Sequence, residues 1–381
     1  MEILREIGPS YQELKPLQKM ATWEKFPVYH DLTDRLLLAD EHPNDVVRHL
    51  LSVLSGYAYS STGTVAPIAA RMGLERNHCL RVSEVNDAML ISSHAYLLQS
   101  SDGRVAVLAY RGSEPSNLYS VLTDTDVVPE KVAFPFDHTG VGFGVHAGFY
   151  RNIRSTRHVI LDALRRAMDG RSILADVGST NGAWLDLPNE GRMDNNLQAL
   201  YITGHSLGGA MAAILAIMLA TEPLSEPVEE TGYIRLRECL RAVYTFGQPM
   251  VGDSSLARAA SDNDVLRRRV VRFVYGHDPV PHLPSKEVVG DFAHFGQEYQ
   301  SAGDGAGAMW IPREKPSERM GSLRGVAESI VAPAARNLRI LRGLPFAYSL
   351  YDHMPQQYII ASTPPGRPSE FGDYKYEVKR G

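Results

Sequence analysis

The chain has 381 residues, and 44% of them are hydrophobic, enough to bury a sizeable core without disulfides or structural metals. With 39 basic against 44 acidic residues the net charge is −5, so no nucleic-acid partner is expected. The two cysteines, Cys79 and Cys239, argue against a disulfide scaffold and do not stand at metal-ligand spacing, so neither a metal nor a cofactor is expected.

The stretch Met1 to Met20 carries Glu2, Glu6 and Glu13 and no apolar run, unlike a secretory signal. The longest apolar run, Ala210 to Ala220, is too short to span a bilayer. These features together predict a soluble, cytoplasmic protein.

Residues 1–90 read as an N-terminal helical segment packed on the core, with Val46, Val47, Leu50, Leu51 and Leu54 recurring at helical spacing and a short helix at Ala66 to Met72. Cys79 and Cys239 read as small core residues on helices. From about Met89 the pattern changes. Ile91 to Gln99, then Ser101-Asp102-Gly103, then Arg104 to Tyr110 reads as a β-hairpin. Later short apolar runs at Leu200 to Thr203, Ala242 to Phe246 and Val270 to Tyr275 read as buried parallel strands.

Helical stretches at Ile153 to Met168 and Leu207 to Ala220 alternate with these strands. The expected fold class is therefore α/β, with a mostly parallel central sheet flanked by helices, over a catalytic domain of residues 91–381. Asp176 to Asn196 reads as a surface loop and residues 301–345 as an insertion. Within the insertion, Leu338, Leu341 and Leu344 alternate with Arg336, Arg339 and Arg342. On a helix this pattern would allow peripheral contact with an anionic lipid surface.

The central signal is Leu200-Tyr201-Ile202-Thr203-Gly204-His205-Ser206-Leu207-Gly208-Gly209. A strand leads in and a helix leads out, so Ser206 falls at a tight corner that presents its hydroxyl above the strand ends. Gly204 and Gly208 let the two elements approach closely around it. The N–H of Leu207, at the start of the helix, is then placed to donate to an oxyanion. A second donor is expected after an earlier strand, and Ser113 follows the strand Arg104 to Tyr110 through Arg111-Gly112. His205 reads as a packing residue behind the sheet that stabilises the elbow. His146 reads as a residue that fixes its loop by hydrogen bonding.

A serine hydroxyl needs a base, and the base needs a carboxylate to hold its tautomer. Asp278 is the favoured acid because it follows the strand Val270 to Tyr275 in a proline-stiffened loop; Asp253, Asp264 and Asp291 lack that placement. His282, His294 and His353 compete for the base. His282 is only four residues beyond Asp278, and His294 has an aromatic neighbourhood that suits a packed structural role. His353 lies late enough to come from a separate loop and is favoured, with His294 as the alternative.

These residues carry a resemblance. In chain order the sequence holds Tyr110-Arg111-Gly112-Ser113, Val145-His146-Ala147-Gly148-Phe149, Thr203 to Gly209, Tyr244-Thr245-Phe246-Gly247-Gln248-Pro249, Asp278-Pro279-Val280-Pro281 with Leu283-Pro284, and Asp352-His353. It resembles the class 3 lipase family of fungal-lipase-like α/β-hydrolases. The resemblance implies a triad of Ser206, Asp278 and His353, an oxyanion hole from Ser113 and Leu207, and a lid following Ser113. Residues 114–140 are the lid candidate, with Val127, Val128, Val132, Phe134 and Phe136 as its apolar cover.

The implied activity is that of a serine carboxylic-ester hydrolase, a lipase or esterase on acylglycerols or related lipid esters. A phospholipase A-type enzyme or an acyltransferase using the same serine is the alternative, and a non-catalytic hydrolase-like binding protein is the rival from another class. The lid segment lacks the tryptophan common in fungal members.

Overall fold

The computed structural model describes residues 1–14, 26–39, 43–86, 88, 91–113, 129–136, 140–176, 187–221, 236–284, 290–303, 305, 307–314 and 350–365. The strands of the larger sheet are β1 (Glu2–Ile7), β2 (His78–Asn86), β3 (Ile91–Gln99), β4 (Val105–Tyr110), β7 (Ala199–His205), β8 (Leu240–Phe246), β10 (Val270–Val274), β12 (Gln297–Ala302) and β13 (Met309–Arg313). They lie side by side in that order. From β4 to β12 all pairings are parallel, while the β1, β2, β3 and β13 edges are antiparallel. This is the α/β-hydrolase fold, with a mostly parallel central sheet between helical layers.

Alternation along the strands divides the core between the two faces. Leu97, Leu108 and Ile202 point to one side and Leu98, Val107 and Tyr201 to the other, because successive side chains on a strand face opposite ways. The first side is covered by α4 (Ala147–Met168) and α5 (Leu207–Thr221). Every residue of α5 is buried, which is why its sequence is apolar all round. The second side is covered by α1 (Leu32–Leu38), α2 (Asp45–Tyr57), α3 (Thr62–Met72) and α8 (Pro355–Ser362). Asn44 caps α2 by accepting hydrogen bonds from the amides of Val46 and Val47. The remaining helices are α6 (Ser254–Asp262) and α7 (Asp264–Arg269).

Several sequence expectations change. The first 90 residues are not simply a helical segment set against the core, since β1 and β2 are strands of the main sheet and Cys79 lies in β2. The helix expected from Ile153 starts earlier, at Ala147. Residues 301–345 do not begin as an insertion, because β12 and β13 form a hairpin in register from Glu298↔Arg313 to Ala302↔Met309. The arginine-rich stretch Ala334 to Pro345 lies outside the described residues.

The lid candidate also divides. Val127 and Val128 lie outside the described residues, whereas Val132, Phe134 and Phe136 belong to packed structure. A second, antiparallel sheet contains β5 (Glu130–Val132), β6 (Phe143–Val145), β9 (Gly252–Asp253) and β11 (Phe292–Ala293). The rings of Phe134, Phe136 and Phe143 cluster beside it, with centroids 5.3 to 6.4 Å apart.

One ion pair is fully enclosed. Arg272 donates to Glu298 at 2.8 Å and to the carbonyl of Phe295 at 2.9 Å, and both charged side chains are 1% exposed. Removing one member strands the other without compensation. Glu298→Ala is therefore expected to destabilise the fold by about 3–5 kcal/mol, read from urea denaturation.

Candidate active site

Ser206 occupies the turn between β7 and α5 with φ at 58°, a left-handed conformation that L-residues rarely adopt. Its N–H donates to the carbonyl of Phe246 at 2.9 Å, which fixes the corner to β8. The flanking glycines are dictated by space. A Cβ on Gly204 would fall 2.2 Å from the backbone of Gly208, and one on Gly208 would fall 2.2 Å from the carbonyl oxygen of Tyr110. Helix and strand thus touch backbone to backbone, as the sequence pattern requires.

Leu207 opens α5, so its N–H has no carbonyl one turn back to receive it. Ser113 stands just beyond β4, and the intervening Gly112 passes close over the corner. A Cβ on Gly112 would lie 3.1 Å from the Ser206 Cβ and 2.6 Å from the His205 carbonyl oxygen.

Asp278 and His353 meet in the interior. The His353 Nδ1 is 2.8 Å from the Asp278 Oδ2, and the two side chains are 6% and 0% exposed. A carboxylate can only accept here, so Nδ1 carries a proton, and in the neutral ring Nε2 is the nitrogen with the free lone pair. The same Oδ2 accepts the hydroxyl of Tyr358 at 2.5 Å, and Oδ1 accepts the N–H of Val280 at 2.8 Å. Burial by itself would raise the Asp278 pKa. The His353 charge and these hydrogen bonds outweigh it and hold the carboxyl below its ordinary range. Tyr358 is pushed well above the ordinary phenol range by burial and by the adjacent carboxylate, which keeps it a donor.

The chain also ties the Asp278 loop to the His353 loop. The N–H of His277 donates to Asp352 Oδ2 at 2.8 Å. His205, beside Ser206, has its Nε2 2.6 Å from the carbonyl oxygen of His353 and its Nδ1 2.9 Å from the Tyr59 hydroxyl. It therefore sits between the Ser206 corner and the His353 loop, and not behind the sheet as expected.

Ser206 Oγ and His353 Nε2 are both buried and have no hydrogen-bond partner, so they are not bonded to each other in this structure. Contacts of this kind commonly tighten only when substrate is bound. The lining of a cavity of about 320 Å³ includes Tyr57, Tyr59, Ser113, His205, Leu350 and His353. A larger cavity of about 700 Å³ lies apart, between β1 and α3, and includes Phe26, Pro67 and Arg71.

The rivals fall elsewhere. His294, the alternative base, has its Nε2 2.7 Å from the carbonyl of Pro281, and burial together with nearby Arg272 keeps it well below the ordinary histidine range. Asp253 caps α6 by accepting from Leu256 N–H and also accepts the N–H of Gly144 at 2.6 Å. His146 stacks face to face on Phe149 at 3.7 Å. Tyr59, Asp352 and Tyr358 were not singled out from sequence, although Asp352 stood inside a quoted motif.

Residues 189–288 match the family model of lipase (class 3), a span that holds Ser206 and Asp278. A triacylglycerol lipase of Ricinus communis is 28% identical over 238 residues, covering 54% of this chain and 40% of that protein. A Rhizomucor miehei lipase is 38% identical over 98 residues, covering 26% and 23%. The likeness to the class 3 lipase family is carried by residues 189–288.

Among solved structures, the Rhizomucor miehei lipase propeptide complex superposes with a TM-score of 0.50 at 20% identity, covering 84% of this chain and 81% of that one. That likeness carries the fold alone. The chain spans about two fifths of the length of the first curated family relatives it matches. Among the described residues no helix is long and apolar enough to cross a membrane, and no group of three or more His, Cys, Asp or Glu side chains is disposed to hold a metal ion.

The buried histidines give the fold an acid sensitivity of defined sign. Burial, and then the charge of His353, lowers His205 to about 3. The unfolded chain binds a proton near the ordinary value of about 6.5, so its share of stability is complete above that pH and is lost as pH falls toward 3. At pH 4.5 the loss from His205 is about 3 kcal/mol. His94, lowered to about 4, adds a loss of the same sign. The urea midpoint should therefore drop between pH 7.5 and 4.5, and His205→Gln should drop less.

Proposed function

We propose that this chain is a serine carboxylic-ester hydrolase acting on uncharged acyl esters of the acylglycerol type. Ser206 attacks the ester carbonyl, and His353 Nε2 takes the hydroxyl proton and returns it to the departing alcohol. Asp278 holds the His353 tautomer and balances the imidazolium. Leu207 N–H and Ser113 receive the oxyanion, and water then cleaves the acyl-enzyme.

The observation that carries this reading is the buried 2.8 Å contact of His353 with Asp278, which directs Nδ1 to the carboxylate and keeps Nε2 for proton uptake. A base must offer a lone pair at the atom that takes the proton, and in the neutral ring this contact reserves that of Nε2 for the task. The preference for an uncharged ester rests on the cavity beside His353, whose lining among the described residues carries no ionisable side chain other than tyrosines and histidines. A phosphate-bearing head group would find no cation among those residues to offset its desolvation. The names of the family relatives, triacylglycerol lipases and mono- and diacylglycerol lipases, point the same way.

The test is a panel of p-nitrophenyl esters, mono-, di- and triacylglycerols and phosphatidylcholine, run with the parent chain. Turnover of simple esters and acylglycerols without release of fatty acid from phosphatidylcholine is expected. Preferential hydrolysis of phosphatidylcholine would overturn the substrate assignment, and no hydrolysis of any ester would overturn the reaction.

A further inference from the structure

We infer that Tyr59 and His205 form a two-link positioning relay that fixes the backbone of the base, His353; the inference rests on the reading just given. The direction of each link follows from elementary donor rules. The His353 carbonyl oxygen can only accept, so His205 Nε2 carries the proton at the 2.6 Å contact. The same ring's Nδ1 is then an acceptor, and at 2.9 Å the Tyr59 hydroxyl must be its donor. The relay runs one way, from Tyr59 to His205 to His353. Burial keeps His205 neutral, so this tautomer persists wherever the fold does.

The placement gives the relay its purpose. The Asp278 contact orients the His353 ring, but a ring is only as well placed as the backbone that carries it. His205 supplies that second anchor from the residue next to the nucleophile, with its ring centroid 4.5 Å from that of His353. Tyr59 also touches the loop on the other side, since a Cβ on Gly112 would fall 2.2 Å from its hydroxyl oxygen. One phenol therefore stands against both the loop that leads to Ser113 and the ring that holds the base. It comes from just beyond α2, in the stretch whose sequence carries no obvious chemistry.

Loss of the Tyr59 hydroxyl would leave the buried His205 Nδ1 without its donor and free the ring to shift about its remaining contact with the His353 carbonyl. The His353 backbone would follow that shift, and small displacements of a reacting group are costly in rate.

The experiment compares the full chain with Tyr59→Phe, His205→Gln, His205→Leu and Ser206→Ala on a soluble p-nitrophenyl ester, recording kcat, KM and Tm. Tyr59→Phe should lower kcat about tenfold with KM within about twofold and Tm little changed. His205→Gln keeps an N–H near the Nε2 position and should retain more kcat than His205→Leu. Parental kcat in Tyr59→Phe, equal kcat in the two His205 variants, or kcat losses that merely track Tm would each overturn the relay. Activity surviving in Ser206→Ala would instead overturn the nucleophile, so the two failures are told apart.

Discussion

Ser206→Ala is expected to remove turnover of a soluble ester by roughly a millionfold, the scale seen when a hydrolase loses its nucleophile. The substitution deletes one atom. The His353–Asp278 pair, at 2.8 Å, would remain but would have no hydroxyl to deprotonate. Some acceleration over water should persist, because the amide of Leu207 and the Ser113 loop are untouched and water can serve poorly as nucleophile. Stability should not suffer. The Ser206 Oγ is buried without a hydrogen-bond partner, so alanine removes an uncompensated polar atom while keeping the same Cβ in the same strained backbone. A Tm at or above that of the parent, alongside vanished turnover measured by p-nitrophenol release, would separate loss of chemistry from loss of fold.

Asp278→Asn is expected to lower kcat by about 10³- to 10⁴-fold. The carboxylate accepts three hydrogen bonds, from His353 Nδ1 and the Tyr358 hydroxyl at Oδ2 and from Val280 N–H at Oδ1. An amide offers only one accepting oxygen. With its NH₂ toward His353, it favours the tautomer that carries the proton on Nε2, where it blocks uptake from Ser206. With its NH₂ toward Val280, it faces another N–H and supplies no charge to balance the imidazolium. Both orientations fail, by different routes. Because Asp278 lies in none of the cavity lining, KM should move far less than kcat. The depressed Asp278 pKa also contributes stability that is present above the ordinary carboxylate range and lost as pH falls through the folded value. The Asn variant should therefore be less stable at pH 7 and less sensitive to acid below pH 4, read from urea midpoints.

The parts of this site that lie close together in sequence were the legible ones. The corner at Ser206 is encoded within five residues, because the two close backbone approaches at Gly204 and Gly208 are local and admit no side chain. The pairing of Asp278 with His353 at 2.8 Å agrees with the place of Asp278 beyond an apolar strand and of His353 late in the chain. Tyr59, Asp352 and Tyr358 were not legible, since each acts through a partner far away: Tyr59 on His205, Asp352 on His277, Tyr358 on Asp278. Nothing in the sequence near a single tyrosine says which carboxylate its hydroxyl will find.

Edge structure was misread for a related reason. β1 is half exposed and mixes Glu2, Arg5 and Glu6 with Ile3, Leu4 and Ile7, so it lacks the unbroken apolar run of a buried parallel strand. Val132, Phe134 and Phe136 did carry a usable signal. Their spacing of two is the period of a strand face, and all three join the packed cluster around Phe143.

The most direct test of the central claim is covalent labelling of the full chain with a fluorophosphonate, followed by mass spectrometry of its peptides. The account predicts a single adduct, on Ser206, formed rapidly by the parent and far more slowly by His353→Ala. An adduct on another residue, or labelling of Ser206 that is indifferent to the loss of His353, would contradict it.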